Sequence, residues 1–502
     1  MANITRSRWA YLAGCVAVTA GVVAHLPMVM MARDMGYRLA GMPVDGAMIA
    51  GMALILGGII LAAYGLLSPP ALTSADAIEV VAPEDLPLGA AHWKLMTALV
   101  VALAIDVMKP ASLGFTVPGM AAEYGLTRSA ASLLPFAALT GTVLGSILWG
   151  ALADHYGRRA SILLSAVMFV GTSICGAMPS FYWNLGMCLL MGLAAGGMLP
   201  VTYALLAEMM PSHHRGWSLV LVGGLGAVGG YFAASAISAW LQPMFGWRIL
   251  WLSNLPTGLL LIALGRAIPE SAGFLIAHDR KAEAEAVLKR FHVSVRKASS
   301  SVPRPKAAAQ TSTTARLVAL SVCGLAWGLA NFGLLLWLPA EFVERGYSVG
   351  LASGLLAKSS LIAFPTVFLA AALYARWSSK GALAAMIVFT LAGLVLLARF
   401  AAWGGSPVLP ISLLLVGTNG IIAIILPYAA ENFGLSVRGR ATGWVAACTK
   451  AGGLAAQALG LIGMIPTIGH AAIAILVPTA LSLILVLRYG QETRGLDLRA
   501  VD

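Results

Sequence analysis

Gly150-Ala151-Leu152-Ala153-Asp154-His155-Tyr156-Gly157-Arg158-Arg159 is a charged turn set between two apolar runs, at about 130–152 and 160–178. A bilayer core of roughly 30 Å takes about 20 apolar residues per helix. Both runs are therefore read as spans, with the turn at the membrane surface. Its glycines permit close helix approach and a left-handed backbone. Asp154 suits the start of the following helix, whose dipole favours an acid. Arg158 and Arg159 mark the cytoplasmic side.

Working outward with the same window gives a pair of spans at about 9–31 and 46–67. Six follow, at about 95–118, 130–152, 160–178, 183–207, 216–240 and 248–266. After a polar gap come six more, at about 316–339, 351–375, 381–400, 408–430, 440–463 and 470–488. The expected class is an all-α polytopic membrane protein of about 14 transmembrane helices. Composition agrees: of 502 residues 59% are hydrophobic and 10% charged, against about 25% charged in soluble domains. Thirty-two Lys and Arg against 20 Asp and Glu give a net charge of +12. The basic residues fall mainly in the gaps between apolar runs, which excludes nucleic acid as the partner and leaves the lipid bilayer. Cys15, Cys175, Cys188, Cys323 and Cys448 all lie in apolar segments and read as buried thiols, not disulfides or metal ligands. The first span is too long for a cleavable signal and lacks its small-residue cleavage site. Lys and Arg in alternate gaps (Arg158, Arg159, Arg215, Arg376, Lys380, Arg438, Arg440) put both termini in the cytoplasm.

Five segments are expected. Residues 1–93 form an N-terminal extension with two spans, and 94–268 a first six-helix bundle. Residues 269–315 hold a cytoplasmic amphipathic helix and a Ser/Ala/Thr/Pro-rich linker, 316–490 a second bundle, and 491–502 a tail. The amphipathic helix shows Ala284, Val287, Leu288 and Phe291 on one face, with Glu283, Glu285, Lys289 and Arg290 around the other. The halves also repeat: Glu208 stands seven residues before Arg215-Gly216, and Glu431 seven before Arg438-Gly439, 223 residues on. Internal repeats in membrane proteins point to transporters whose halves move against each other.

The turn around Gly150, Asp154, Gly157, Arg158 and Arg159 closely resembles the signature of the major facilitator superfamily. Pro269-Glu270-Ser271 with Phe274-Leu275, and Phe245-Gly246-Trp247-Arg248, are similar to elements of its sugar porters and aromatic-acid/proton symporters. Glu492-Thr493-Arg494-Gly495 resembles the sugar-porter tail. The likeness covers about residues 94–498 and leaves 1–93 outside the usual pattern. It implies the facilitator fold, two six-helix bundles, and a cytoplasmic charge network that closes the inner gate. Carried over, that network is Asp154, Arg158, Arg159, Glu208, Arg215 and Glu270, with Glu431 and Arg438 in the second half. The second-half copy of the turn, Arg376-Trp377-Ser378-Ser379-Lys380-Gly381, lacks the acid. The Asp-Gly-Phe-Asp motif of aromatic-acid symporters is also absent.

Ionisable side chains within spans cost several kcal/mol and usually face a cavity. Asp106 and Lys109 lie three residues apart mid-span, beside Pro110. They read either as a self-neutralising pair or as a proton-coupling carboxylate with a cationic neighbour. Lys358 and Lys450, the latter where relatives commonly carry Arg, read as ligands for an anion or as snorkelling cations. Asn331 and Asn419 read as substrate hydrogen-bonders or as glue between helices. Trp327 and Trp337 read as ring-stacking partners or interfacial anchors.

The function expected is secondary active transport: proton-coupled symport of a small organic anion, aromatic or another carboxylate, by alternating access. Proton-coupled efflux, a sugar-like neutral solute and a transporter-like receptor are the alternatives. No hydrolase, metalloprotease or phosphate-loop motif is present, so no enzyme is expected. The proton gradient supplies the energy and no cofactor is expected. The chain is expected to act as a monomer in a bacterial inner membrane.

Overall fold

The computed structural model describes residues 2–67, 78–81, 87–291, 294–297, 312–433, 435–464 and 466–494. Each apolar run is helical. In the first part of the chain these are α1 (Ser7–Met31), α2 (Gly46–Leu66), α3 (Ala90–Tyr124), α4 (Arg128–Tyr156), α5 (Arg158–Ala177), α6 (Phe181–Met209), α7 (His213–Phe245) and α8 (Ile249–Leu264). The amphipathic stretch is α9 (Lys281–Phe291). Then come α10 (Thr313–Glu344), α11 (Val349–Arg376), α12 (Ser379–Trp403), α13 (Val408–Asn432), α14 (Leu435–Leu461) and α15 (Ile468–Tyr489). Among the described residues twelve of these are long and apolar enough to cross a membrane. α8 is shorter, and α14 is diluted by Arg440, Lys450 and many small residues. The chain is an integral, multi-pass membrane protein.

The all-helical class stands, with one addition. Ile78–Val81 (β1) pairs antiparallel with Ser294–Lys297 (β2), Ile78 opposite Lys297 and Val81 opposite Ser294. Hydropathy gives no hint of so short a ladder between segments far apart in the chain. The linker expected at 297–315 lies mostly outside the described residues, as do the tail beyond Arg494 and the side chain of Arg438.

The chain forms two compact units. The first comprises Met1–Thr127, Ala137–His213 and Trp240–Ala298; the second comprises Arg128–Phe136, His214–Ala239 and Ser299–Asp502. This division cuts α4 and α7, which the five expected segments kept whole. The reason is local. Arg128 opens α4 with ion pairs to Glu341 and Glu344, and Gly224 leaves α7 no side chain to hold it off Val367 of α11.

In the first unit α1 and α2 cross at glycines: a Cβ on Gly14 would lie 2.6 Å from the Gly58 carbonyl oxygen. Such small-residue contacts hold membrane helices that gain nothing from hydrophobicity in lipid. The pair then buries Val18, Val22 and Ile55 with Leu164, Val167 and Val170 of α5. The loop between α1 and α2 is pinned at the far end of the unit. Arg248 donates from Nε to the Tyr37 carbonyl at 3.0 Å, from Nη1 to that of Met178 at 2.9 Å, and from Nη2 to Glu123 at 2.6 Å. Glu123 also accepts from Leu39 N at 2.8 Å, Ala40 N at 3.0 Å and Trp247 Nε1 at 2.8 Å. Arg248, the last residue of Phe245-Gly246-Trp247-Arg248, is a buried tie.

In the second unit α10 widens at Leu329–Leu335 into a π-helical turn. Gln457 of α14 completes its bonding, donating from Nε2 to the Phe332 carbonyl at 2.5 Å. Such turns leave backbone groups for side chains to satisfy, and they frequently mark functional sites.

Candidate functional site

The signature turn builds a charge network in the first unit. Gly157 has φ +103°, a conformation only glycine adopts freely, and a Cβ there would sit 2.5 Å from Glu270 Oε2. The space is taken by that carboxylate, which accepts the backbone N–H of Arg158 at 2.8 Å, Arg159 at 3.2 Å and Ser271 at 3.0 Å. An anion is thus held at the start of α5, where the orphan N–H groups and the helix dipole favour it. Arg158 ion-pairs with Glu208 and donates to Ser271 Oγ at 2.8 Å, while Ser271 Oγ donates to Glu208 at 2.5 Å. Arg159 Nε donates to the Gly265 carbonyl at 3.1 Å. Burial pushes the Glu270 carboxyl above the usual carboxylate range, against the pull of the three N–H groups and Arg159.

Asp154 had been assigned to the start of α5, but it is exposed and makes no hydrogen bond or ion pair among the described residues. Asp154 is still inside α4, and Gly157 turns the chain so that Glu270 reaches the helix end instead.

The second unit carries the matching arrangement, with an acid from beyond α15. Glu492 accepts Ser379 N at 2.9 Å and Ser379 Oγ at 2.6 Å at the start of α12, and Ser378 Oγ as well. Thr493 Oγ1 donates to Glu431 at 2.6 Å, as Ser271 does to Glu208. The remaining partner differs: Glu431 accepts from Tyr374 OH at 2.5 Å where Glu208 meets an arginine. Gly216 faces this corner, a Cβ there lying 3.0 Å from the Tyr374 ring and 3.2 Å from Glu431 Oε1. Burial pulls the Glu492 carboxyl up, but the Ser378 and Ser379 hydroxyls and two backbone N–H groups outweigh it and hold it below the usual range. The acid missing from the second turn comes from the tail.

The residues singled out within spans part company. Asp106 is 6% exposed and Lys109 is fully buried in the first unit. Lys109 Nζ donates to the Phe169 carbonyl at 2.9 Å and Thr172 Oγ1 at 3.3 Å, and lies 3.7 Å over the Phe169 ring. That is where α5 tightens from α to 3-10 geometry, so Lys109 serves a helix junction and presents no open surface. Lys358 is exposed on α11. Asn331, Asn419 and Lys450 lie in the second unit. Trp327 Nε1 donates to the Thr418 carbonyl at 2.7 Å, joining the helices of Asn331 and Asn419. Lys450 Nζ lies 6.0 Å from the Phe332 ring, next to Asn331. Asn419 is 8% exposed and lines a narrow gap with Gly224 and Thr366.

The Major Facilitator Superfamily profile matches residues 95–490. The chain is 26% identical to the niacin transporter NiaP of Acinetobacter baylyi over 441 residues, covering 83% of this chain and 98% of that protein. It is 27% identical to the 4-hydroxybenzoate transporter PcaK of Pseudomonas putida, covering 80% and 94%. Among solved structures, the inward-open xylose transporter XylE from E. coli aligns with a TM-score of 0.62 at 16% identity, over 82% of this chain and 99% of that one.

Proposed function

The chain belongs to the major facilitator superfamily, and on that premise we propose that it is a proton-coupled symporter of an aromatic monocarboxylate, working by alternating access. The observation that carries the substrate class is the near end-to-end likeness to carriers named for niacin and 4-hydroxybenzoate, each a single ring bearing one carboxylate. Lys450, whose Nζ lies 6.0 Å from the Phe332 ring, and the amides Asn331 and Asn419 of α10 and α13 are residue types that suit a carboxylate on a ring. Asp106 is the proton-coupling residue in this reading, being an acid deep within α3. The latch residues Arg158, Glu208 and Glu270 hold the cytoplasmic end shut and release when it opens. The protein acts as a monomer in a bacterial inner membrane with both termini cytoplasmic.

The test is uptake of labelled 4-hydroxybenzoate or nicotinate by proteoliposomes under an imposed pH gradient. Gradient-driven accumulation is expected in the wild type. Asp106→Asn is expected to keep exchange of internal for external substrate and to lose accumulation. Equal accumulation by Asp106→Asn removes that residue from the coupling, and a failure to move any aromatic carboxylate removes the substrate class.

A further inference from the structure

In the second unit α10, α14 and the start of α15 line a cavity of about 270 Å3. Its wall includes Gly333, Trp337, Ala456 and Ala471, with Arg128 and Glu341 at one end. It is mainly apolar, close in size to small-molecule sites, and has the few polar groups such sites use for orientation. The π turn forms one side. Gln457 fixes that side twice, donating to the Phe332 carbonyl and accepting Trp337 Nε1 at 3.1 Å. The indole is thereby held as a flat, rigid wall.

Arg128 is gripped by two acids of unequal freedom. Its Nε donates to Glu344 Oε1 at 2.6 Å and its Nη2 reaches Glu344 Oε2 at 2.5 Å, the two-pronged geometry of a guanidinium on a carboxylate. Nη2 also donates to Glu341 at 2.7 Å. The Glu341 side chain is 14% exposed and also holds Arg345 at 3.3 Å, whereas that of Glu344 is 50% exposed. Glu344 is the member a solute can displace. The cluster of Arg128, Arg345, Glu341 and Glu344 sums to zero charge, so an incoming anion that took the place of Glu344 on Arg128 would keep that guanidinium balanced.

We infer that this cavity, whose lining includes neither Lys450 nor Asn331, is a second station for the aromatic monocarboxylate, whose carboxylate there replaces Glu344 on Arg128 and whose ring lies against Trp337. The inference rests on the substrate class proposed above. Glu344 is then a resident competitor that occupies the guanidinium until substrate arrives. The exchange also unties the first turn of α4 from the end of α10, which couples arrival of substrate to loosening at this face.

The experiment titrates full-length protein in nanodiscs with 4-hydroxybenzoate and follows tryptophan fluorescence, Trp337→Phe identifying the part of the signal that Trp337 reports. Glu344→Gln is expected to bind about tenfold more tightly and Arg128→Lys, which keeps the charge but loses the fork, about tenfold more weakly. Ala471→Phe fills the cavity and is expected to abolish the Trp337 signal. If all three bind as the wild type does, the ligand sits elsewhere; this inference falls while the transport reading stands. If the wild type neither binds nor transports any aromatic carboxylate, the transport reading falls and takes this one with it. A phospholipid retained in native mass spectra, lost in Ala471→Phe and not displaced by 4-hydroxybenzoate, makes the cavity a lipid site and overturns the inference.

Discussion

Glu270 accepts the backbone N–H of Arg158 at 2.8 Å, and Glu492, 222 residues on, accepts that of Ser379 at 2.9 Å. Each half of the chain closes the start of one helix with a carboxylate from the segment that leaves its bundle. The neighbouring hydroxyls, Ser271 and Thr493, repeat too, donating to Glu208 and Glu431.

The two carboxylates are expected to respond oppositely to acid. Glu492 is held below the ordinary range, so its contribution is fully present above the unfolded value of about 4.3 and is lost as pH falls through the folded value. Glu270 is held above that range, so its folded form takes up a proton first, and stability falls as pH rises from the unfolded value through the folded one. Melting curves of wild type, Glu270→Gln and Glu492→Gln across the acid range check this. The wild-type-minus-variant difference should grow with pH for Glu492 and shrink for Glu270. Parallel curves would show that neither carboxyl is shifted.

Tyr374→Phe removes the hydroxyl that donates to Glu431. Hydrogen bonds to charged groups contribute about 1.5–3 kcal/mol, so a loss of that size is expected in denaturant or thermal unfolding. Thr493→Val added to it should cost less than the two single losses added together, because both donors serve the same oxygen.

Asp154→Ala is expected to leave stability within about 0.5 kcal/mol of wild type, as for an exposed side chain away from any cap or ion pair. Glu270→Ala empties the anion seat at the start of α5 and should cost several times more. Equal melting shifts in the two variants would return the helix cap to Asp154.

Glu123→Ala leaves Arg248, whose side chain is 1% exposed, without its counter-charge. Breaking one side of a buried pair costs about 3–5 kcal/mol. The readouts are a lowered melting temperature and faster protease cleavage in the loop between α1 and α2, which loses the Leu39 and Ala40 bonds. Arg248→Ala in the same protein should add little.

The helices were legible because hydropathy is a local property: twenty residues carry the whole signal for a span. The first charge network was legible through its glycines and paired arginines, which compress into ten residues. Its second copy was not, since the turn at 376–381 looks defective alone, and Glu492 serves it from 113 residues on just as Glu270 serves the first from 112. Lys109 was misleading for a related reason. A lysine in a span signals that some partner exists, and only the fold shows that the partner is the Phe169 carbonyl at a helix junction. Nothing near Arg248 in the sequence shows its burial, because its partner Glu123, which also accepts from Leu39, Ala40 and Trp247, lies 125 residues away.

The loop between α1 and α2 supplies the Tyr37 carbonyl and the Leu39 and Ala40 amides to the Arg248–Glu123 pair. Cutting the chain back to the common twelve-helix core would therefore do more than bare an oily flank of α5. It would strip three bonds from a buried ion pair, so a trimmed version needs Glu123 and Arg248 replaced together by apolar residues before it can be expected to hold its shape.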